Sequence, residues 1–589
     1  DRNFIRLVEA GIPGITSDID EGDNFGLTSR ASISINGMRR NAVNYFVDGV
    51  SNTDVGSNIT LLSTPTVDSI QEFKVLSSNY TAEIGRSGGG AVTVVTRGGT
   101  NEYHGTLYEF HRNDKFNANT FFNNRQPRLA NGEVAPANRV PKLRYNNFGG
   151  TFGGPLPFLN FGEGGPTWSS GKNKTFFFFS EEVRRISRGT TSADAAVPTA
   201  AQRGGDLSSS LGLPLFRSTS ATSPSCTTPG VGTCTTTPFT AVDTAGNTVQ
   251  LRANQAFRAS DGRPYAGNII PLADIDSRSL ALLNAYPLPN NGLNGFTFTP
   301  VNVSNTRQET MRIDHSISDN HRLFGRYTHD LGETAEAFGL FGPFCTLPGF
   351  CNTDTKVPGQ VFALSYTGVF APTFVNEATF NFSSNRITSL LGGNAQRANF
   401  PGTERIAEAF SGNPTGIVPT ISSNGFNTIG APQDYHVKYD NKVIRDVATW
   451  TAGNHLIKFG GEASFEKKVE NGRNQAQGGF AFSAVQTQGR TGSTAINSTG
   501  SAFASFLLGR ANTYTEAERD IFVNVLFGRR EAFVQDTWKV RPNLTLDIGV
   551  RYQYFTPPTD ENNQLSTFDP ARFRRSAVVC TTAACTGFD

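Results

Sequence analysis

The residues with the clearest chemical potential are six cysteines, which fall into three close pairs. The pairs are Cys226 with Cys234, Cys345 with Cys351, and Cys580 with Cys585. No Cys-x-x-Cys spacing occurs and the seven histidines are scattered, so a zinc site is poorly supported. Because each pair lies in a stretch rich in Gly, Pro, Ser or Thr, we expect three local loop disulfides formed in an oxidising compartment. Six free thiols are the alternative.

A glycine-rich run at residues 85–90 is the next candidate, because such loops can cradle phosphate groups. The run lacks the Gly-Lys-Ser/Thr ending of a phosphate loop, and the following residues 92–95 have the composition of a strand rather than a helix. We therefore interpret the run as a tight turn that uses glycine for unusual backbone angles and close packing.

Serine, histidine and aspartate are plentiful, but none occurs in a nucleophile elbow or at a paired metal-ligand spacing. His104 and His111 are an odd number of residues apart, so they face opposite sides of a strand. The residues therefore predict no enzymatic activity, no metal site and no bound cofactor.

The amino-acid composition limits which classes of fold and partner are possible. The chain has 589 residues, with 52 Lys plus Arg against 50 Asp plus Glu and a net charge of +2. A dedicated nucleic-acid binder would be strongly basic, so we expect no nucleic-acid partner. The 61 glycines indicate frequent turns. Because no apolar run reaches the ~18 residues of a membrane-spanning helix, a large soluble β-protein is the first interpretation.

Alternation of apolar and polar residues identifies the strands. Residues 544–555 are the clearest case, and their length suits a tilted transmembrane strand of ~9–11 residues. The predicted lipid-facing side chains of this strand are Leu544, Leu546, Ile548, Val550, Tyr552 and Tyr554. In total we predict eleven strands, at residues 103–112, 145–154, 174–185, 307–317, 321–330, 359–370, 374–386, 435–450, 455–466, 529–540 and 544–555.

The connections between these strands differ on the two sides of the sheet. Four of five turns on one side are about three or four residues long, whereas connections on the other run from roughly 27 to 120 residues, a difference typical of outer-membrane β-barrels. All three cysteine pairs fall in the long loops, and Trp450 and Trp538 suit an interfacial aromatic girdle. The long loops are predicted at about 113–144, 187–306, 331–357, 387–434, 467–528 and 557–589.

Residues 1–102 have short alternating stretches separated by tight turns, which predicts a small α/β module. Residues 45–49 (Tyr-Phe-Val-Asp-Gly), 69–75 (Ser-Ile-Gln-Glu-Phe-Lys-Val) and 83–92 (Glu-Ile-Gly-Arg-Ser-Gly-Gly-Gly-Ala-Val) resemble the plug domain of TonB-dependent outer-membrane receptors. Within that family the chain is most similar to the Oar-like subgroup, through stretches such as 503–509 and 533–540. The plug motif residues are Asn36, Gly37, Asp48, Gly49, Glu72, Gly85, Gly88, Gly89 and Gly90.

The resemblance implies a mainly β fold, namely a transmembrane antiparallel β-barrel with an N-terminal α/β plug domain. Such receptors close about 22 strands around the plug, so eleven strands would be about half of a barrel. We therefore expect a fragment, with an incomplete plug at residues 1–102 and the first half of the barrel at 103–589. The first part of the plug, the segment that TonB contacts, a signal peptide and any N-terminal regulatory-like domain are expected to lie outside this sequence.

The resemblance also implies a function: active transport of a substrate across the outer membrane of a Gram-negative bacterium. The expected partners are outer-membrane lipid, the inner-membrane TonB protein with its ExbB/ExbD motor, and an unidentified extracellular substrate. A barrel-anchored cell-surface adhesion or assembly protein without transport is the alternative. A secreted, soluble, β-rich hydrolase is a third hypothesis.

Overall fold

The computed structural model describes most of the chain. The described residues are 11–17, 33–54, 61–78, 80–86, 88–125, 138–159, 168–189, 193–220, 223–340, 347–350, 352–406, 416–430, 434–472 and 476–566, with a few single residues and pairs between these ranges. Within these residues, the helices are all too short or too polar to cross a membrane.

The N-terminal module, which we call the plug, is built on a four-stranded sheet. Beside it, β1 (Ile15–Ser17) pairs with β2 (Ile33–Ile35). The sheet consists of β3 (Val43–Val47), β4 (Val50–Ser51), β5 (Ile70–Leu76) and β6 (Gly90–Thr96). Their spatial order is β4, β3, β6, β5. β3 and β6 run parallel, and the other neighbours are antiparallel.

The turn between β3 and β4 contains only Asp48 and Gly49. Their φ angles are 48° and 81°, the left-handed values that the tightest hairpin turns require, which explains the Asp-Gly pair. The strands bury a compact apolar core whose members all belong to the plug: Ile5, Val8, Ile15, Ile33, Ile35, Val43, Tyr45, Val47, Leu61, Ile70, Val92 and Val94.

The rest of the described chain is dominated by one antiparallel sheet, which we call the wall. Neighbours in the wall are neighbours in the chain. Its eleven long strands are β7 (His104–Asn113), β8 (Leu143–Pro155), β9 (Thr175–Gly189), β10 (Val301–Ser318), β11 (His321–Glu336), β12 (Thr353–Ala371), β13 (Phe374–Leu391), β14 (Tyr435–Ala452), β15 (His455–Asn471), β16 (Phe522–Arg541) and β17 (Leu544–Phe555). Plug residues contact both β9 and β17, so the wall curves around the plug.

The structure confirms the mainly β class and the eleven strands, but the predicted turn lengths are wrong. The four shortest turns contain two residues each, at 319–320, 372–373, 453–454 and 542–543. Several strands also extend beyond their predicted outer ends: β10 begins at Val301 and β16 begins at Phe522. The first five predicted long loops are therefore too wide at one or both ends, and most of the sixth, 557–589, lies outside the described residues. Above the lipid both faces of a strand are wet, so the alternation of apolar residues stops while the backbone ladder continues.

The long outer connections fold together instead of extending separately into solvent. One buried apolar cluster draws residues from four of them, and we call this assembly, residues 193–300, 347–350, 392–430 and 476–521, the loop cap. The buried members of its core are Ala195, Val197, Leu207, Ala256, Tyr265, Ile270, Ile275, Leu282, Leu283, Tyr286, Leu347, Phe350, Ala395, Phe400, Ile406, Ile417, Val418, Ile421, Ile429, Phe482, Phe503, Ala504, Phe506 and Leu507.

Hydrogen bonds between loops support this core. The amide of Asp276 donates to the carbonyl of Leu507 at 2.8 Å, and the hydroxyl of Tyr286 donates to the carbonyl of Asn427 at 2.7 Å. Four short α-helices are described: α1 (Phe121–Arg125), α2 (Ala200–Arg203), α3 (Ser277–Leu283) and α4 (Ala502–Leu507).

The remaining elements are short. Two-to-five-residue strands lie at Phe158–Leu159, Trp168–Ser169, Ala193–Ala196, Phe216–Ser218, Ser225–Cys226, Cys234–Pro238, Thr240–Val242, Thr248–Gln250, Phe257–Arg258, Arg263–Pro264, Gly295–Phe298, Thr420–Ser422, Gly479–Ala481, Arg490–Thr491, Thr494–Ala495, Thr513–Thr515 and Thr559–Asp560. The 3-10 helices are Arg40–Ala42, Val67–Ser69, Asp114–Phe116, Ser208–Ser210, Ala266–Asn268, Leu272–Asp274, Gly393–Ala395, Arg397–Asn399, Thr403–Arg405 and Ala484–Thr487.

One of the expected disulfides lies in the loop cap. Cys226 and Cys234 are bonded and close a short loop, with their Cα atoms 5.7 Å apart. The other four cysteines, Cys345, Cys351, Cys580 and Cys585, lie outside the described residues.

Candidate functional site at the interface of plug and wall

The interface between the plug and the wall is largely polar. A buried ion pair joins Asp48, in the turn after β3, to Arg326 on the inward face of β11. The same carboxylate accepts hydrogen bonds from the amide and the hydroxyl of Thr96, both at 2.9 Å. Arg312 of β10 donates to the carbonyl of Thr96 at 3.1 Å. One aspartate thus joins the end of the plug sheet to two wall strands.

A second ionic contact is centred on Glu83, just before the glycine-rich run. Its carboxylate pairs with Arg445 of β14 and with Lys458 of β15. Burial acts to raise the pKa of Glu83, but the hydrogen bond from Lys458 and the charges of both cations outweigh it and hold the pKa below its ordinary value. Glu83 is therefore ionised near neutral pH and fixes the plug to β14 and β15.

The backbone next to Glu83 is held by the last two wall strands. Gln535 of β16 accepts a hydrogen bond from the amide of Ala82 at 2.7 Å, and Arg551 of β17 donates to the carbonyl of Glu83 at 2.9 Å. Glu531 fixes Arg551 in turn, with its carboxylate 2.9 Å from the Arg551 Nε.

Gly85 makes this approach possible. A Cβ atom at this position would lie 2.3 Å from Nε2 of Gln553, 2.4 Å from Nε of Arg551 and 2.8 Å from Oε2 of Glu531. Only a residue without a side chain therefore allows the plug backbone to lie against this group of polar wall residues.

At the outer end of the plug, which we call the plug apex, residues 61–66 are held by wall side chains. The amide of Thr64 donates to Asp330 at 2.6 Å, and its carbonyl accepts from Gln308 at 2.7 Å. The hydroxyl of Thr66 lies 2.8 Å from that of Ser180. These side chains make the hydrogen bonds that a neighbouring strand would otherwise make. The backbone groups of the segment are therefore paired although the segment joins no sheet.

A cavity of about 880 Å³ lies at the opposite end of the interface, beside the short turns. It is lined by residues 97–101, where the chain leaves the plug, and by Arg312, Arg322 and Asp314 of the wall. Among the described residues, no group of three His, Cys, Asp or Glu side chains is arranged to hold a metal ion.

The structure distributes the predicted plug motif over several places. Asp48, Gly49 and Gly85 lie at the interface described above, whereas Glu72 is exposed on β5. Asn36 and Gly37 form a turn after β2 with φ angles of 52° and 73°.

The other three glycines of the motif lie on the plug side of the interface. Gly90 has a φ of 134°, and a Cβ there would lie 2.7 Å from the carbonyl oxygen of Leu76. A Cβ at Gly89 would lie 3.1 Å from that of Met38, whereas the nearest atom to one at Gly88 is 4.0 Å away.

The wall partners were not identified from the sequence. The charged wall residues at the interface are Arg312, Arg326, Arg445, Lys458 and Arg551. Each lies on the face of its own strand that is opposite the apolar residues. This arrangement is the sequence signal by which they could have been found. On β17, Arg551 points to the plug, and the six predicted lipid-facing residues are all exposed. Their contact with lipid stays a prediction.

Both parts of the chain match known protein families. The family described as "Outer membrane beta barrel domain" matches residues 95–587, and the "TonB-dependent Receptor Plug Domain" matches residues 1–92. The chain belongs to the TonB-dependent receptor family. The receptor lies in the outer membrane of a Gram-negative bacterium, which confirms the predicted family and location.

Similar proteins include the TonB-dependent transporter Oar of Myxococcus xanthus, 32% identical over 158 residues that cover 26% of this chain and 13% of the relative. Among solved structures, the outer membrane transporter YddB of Escherichia coli is similar with a TM-score of 0.47 and 10% identity, covering 95% of this chain and 55% of that one. The siderophore receptor PirA of Acinetobacter baumannii is similar with a TM-score of 0.43 and 11% identity, over 95% and 55%. The receptor chain therefore spans only part of the length of each.

Proposed function

We propose that the receptor carries out active transport of an extracellular solute across the outer membrane, with TonB and its ExbB/ExbD motor moving the plug. The proposal includes the division into a plug at residues 1–102 and a barrel portion from residue 103. It also includes membership of the Oar-like subgroup, which the 158-residue similarity to Oar supports.

The observation that carries the proposal is the contrast between the core of the plug and its interface. The apolar core of the plug is composed of plug residues alone. Its contacts with the wall are mainly ion pairs and hydrogen bonds, such as those of Glu83 and Asp48. Water can replace such contacts when the plug moves, whereas separating an apolar interface would expose hydrophobic surface. The plug is therefore constructed as a displaceable unit.

Movement of the plug can be tested without knowing the substrate. Thr66 is the last residue of the plug apex, is 1% exposed and contacts Ser180 of β9, so a thiol placed there by Thr66→Cys is shielded in the resting state. Cells that express the complete protein are treated with a membrane-impermeant maleimide, with and without a protonophore. We expect labelling that falls severalfold when the proton-motive force is collapsed.

The matched control is Val231→Cys, because Val231 is 62% exposed in the loop cap and should be labelled equally under both conditions. Labelling at position 66 that does not respond to the protonophore, or to deletion of TonB, would contradict energised transport. That result would favour the alternative, a barrel that only anchors surface loops.

A further inference from the structure

A groove of about 890 Å³ lies on the face of β7, β8 and β9 that points away from the plug. The direction of this face follows from the alternation of side chains along β9. Glu182 accepts a hydrogen bond from the plug residue Arg2 at 3.0 Å, so it points inward. Its neighbour Glu181, which lines the groove, therefore points outward. In an outer-membrane receptor, the outward face of the wall is the one expected to meet lipid.

The shape of the groove depends on a glycine. Gly150 of β8 lies between Leu107 of β7 and Glu181 of β9 in one row of paired residues. Leu107 leans over this position, because a Cβ atom at Gly150 would lie 2.7 Å from Cδ2 of Leu107. Leu107 is nevertheless 93% exposed. The other apolar side chains that line the groove are those of Phe148, Phe152, Phe179 and Val183.

The groove also has a charged part. Two carboxylates, those of Glu109 and Glu181, belong to its lining, and Glu181 pairs with Arg307 of β10 at 2.9 Å. Arg307 pairs in addition with Glu309, which lies 3.3 Å from Nδ1 of His329 on β11. Glu109 is exposed and forms no ion pair with any residue that the structure describes. We call these five residues the outward cluster, and its net charge is negative in either protonation state of the histidine.

The outward cluster lies at a height where the remaining strands are uncharged. Glu309 is nine residues from the end of β10 at its short turn, and His329 is eight residues from the start of β11. The outward residues eight or nine positions from the short turns on β12–β17 are Phe362, Phe382, Ile444, Ala463, Ala532 and Tyr552. Ionisable side chains at lipid-facing positions are unfavourable, and they mark functional sites where they occur.

The carboxylates of the groove lie deeper in the membrane than Glu309. The row of paired residues that contains Glu309 rises toward β16, where it reaches Leu526, fifteen residues from the end of that strand. The tilt of the strands in a membrane barrel produces this shift. In the other direction the same row descends through Glu181 to Leu107. Glu181 is therefore further from the outer surface than Glu309 is.

We propose that the groove docks a second membrane-spanning protein of the outer membrane, which packs an apolar side chain beside Gly150 and pairs a lysine or arginine with Glu109. Charge complementarity favours this occupant over the others. Acyl chains would fill the apolar part of the groove but leave Glu109 unpaired, and the negative outward cluster would repel lipid phosphates. A second copy of the receptor would bring the same negative charge. Docking at this face is independent of whether the receptor transports a solute.

Site-specific photo-crosslinking of the complete receptor, in the bacterium that produces it, tests the proposal. Leu107→p-benzoylphenylalanine places a photoreactive ring at the groove, and we expect irradiation to give one discrete protein adduct. Mass spectrometry of the cross-linked peptide should identify a membrane-spanning segment that contains lysine or arginine. The matched control is Val550→p-benzoylphenylalanine. Val550 is 64% exposed on the outward face of β17 and should give no protein adduct.

The charge of Glu109 separates specific docking from chance contact. In the Leu107→p-benzoylphenylalanine receptor, Glu109→Gln should lower the adduct yield about fivefold or more, and Glu109→Lys should abolish the adduct, because the cation of the partner loses its counter-charge. Heat-modifiable migration checks that both variants assemble. If Glu109→Lys does not assemble, the uncharged and nearly isosteric Glu109→Gln decides.

Several outcomes would overturn the proposal. Adducts with lipid alone would show that the groove faces only the bilayer, and an adduct that contains two copies of the receptor would show self-association instead. Equal protein adducts from positions 107 and 550, or a yield that Glu109→Gln leaves unchanged, would remove the role of the outward cluster. A partner segment without lysine or arginine would contradict the charge pairing.

Discussion

Asp48 of the plug pairs with Arg326 of the wall, and the two side chains are only 4% and 1% exposed. A buried charge is tolerated when an opposite charge and further hydrogen bonds satisfy it, and Asp48 also accepts two hydrogen bonds from Thr96. The left-handed turn at Asp48 and Gly49 places the carboxylate at the end of the plug sheet, where it meets Arg326 of β11. The local turn geometry and the seating of the plug are therefore linked through one side chain.

This pair leads to the first prediction. Arg326→Ala should leave the buried Asp48 carboxylate with only the more distant cation Arg312, 3.8 Å away, and destabilise plug seating by up to about 3–5 kcal/mol. Limited proteolysis of the plug against urea concentration would measure the loss. The double variant Asp48→Asn with Arg326→Met should recover most of the stability, because it removes both charges together. A double variant as unstable as Arg326→Ala would show that the pair itself is unimportant.

The second prediction concerns pH. The pKa of Glu83 is lowered in the folded protein, so its contribution to plug seating is fully present above its ordinary pKa of 4.5 and is lost as pH falls through the lowered value. We expect the plug to become protease-sensitive below about pH 4.5. Glu83→Gln should weaken seating at neutral pH and flatten this part of the pH profile. An unchanged profile in that variant would assign the acid sensitivity to other groups.

The third prediction compares two glycines of the same run. Gly85→Ala places a methyl group against Gln553 and Arg551, and we expect it to destabilise plug seating by about 1–3 kcal/mol. Gly88→Ala is the control, because its nearest neighbour would be 4.0 Å away. The same urea and proteolysis assay distinguishes them. Equal effects of the two substitutions would mean that conformational freedom, not close approach, explains the glycines.

The fourth prediction tests the lipid-facing side of β17. Val550 is 64% exposed on the face opposite Arg551, and an arginine near the middle of the membrane costs roughly 2–4 kcal/mol. Val550→Arg should therefore reduce assembly of the complete protein, as measured by heat-modifiable migration on gels. Val550→Leu, at the same depth, should assemble normally. Normal assembly of Val550→Arg would place this face in water.

The fifth prediction concerns the disulfide. Breaking the Cys226–Cys234 bond releases a short loop, whose closure is worth about 2–3 kcal/mol in the chain-entropy description. Reduction should make this loop protease-sensitive in the native protein. The double variant Cys226→Ser with Cys234→Ser should be sensitive already and should not respond further to reductant at this site. Resistance of both forms would show that cap packing alone holds the loop.

The wall was largely predictable because its strands carry a strong local signal. Leu544, Ile548 and Val550 alternate with Asp547 and Arg551, and a strand half in lipid and half in water must alternate in this way. The outer extensions, such as Val301 to Thr306, lack that contrast and were missed. The lengths of the two-residue turns were overestimated because the residues on either side of a turn still pair with each other. The turn at Pro542 and Asn543 is an example.

The interface and the loop cap were not predictable from local patterns. Nothing near Glu83 in the chain indicates that Arg445 and Lys458 will meet it, because their pairing depends on the curvature of the whole wall. The cap core could not be predicted from the sequence for a related reason. Its apolar residues, for example Val418 and Phe506, are scattered through long polar stretches, so they form a pattern only after four loops converge.

The chain order of the wall also sets an order of assembly. Hairpins such as β14 with β15 close through two-residue turns, and such local contacts form rapidly. The cap core, in contrast, joins residues as distant as Ala195 and Leu507, so it is completed only after the intervening strands are in register. A chain with a misaligned wall would leave these apolar side chains uncovered. Chaperones and proteases that bind exposed hydrophobic segments would then distinguish it from a correctly assembled one.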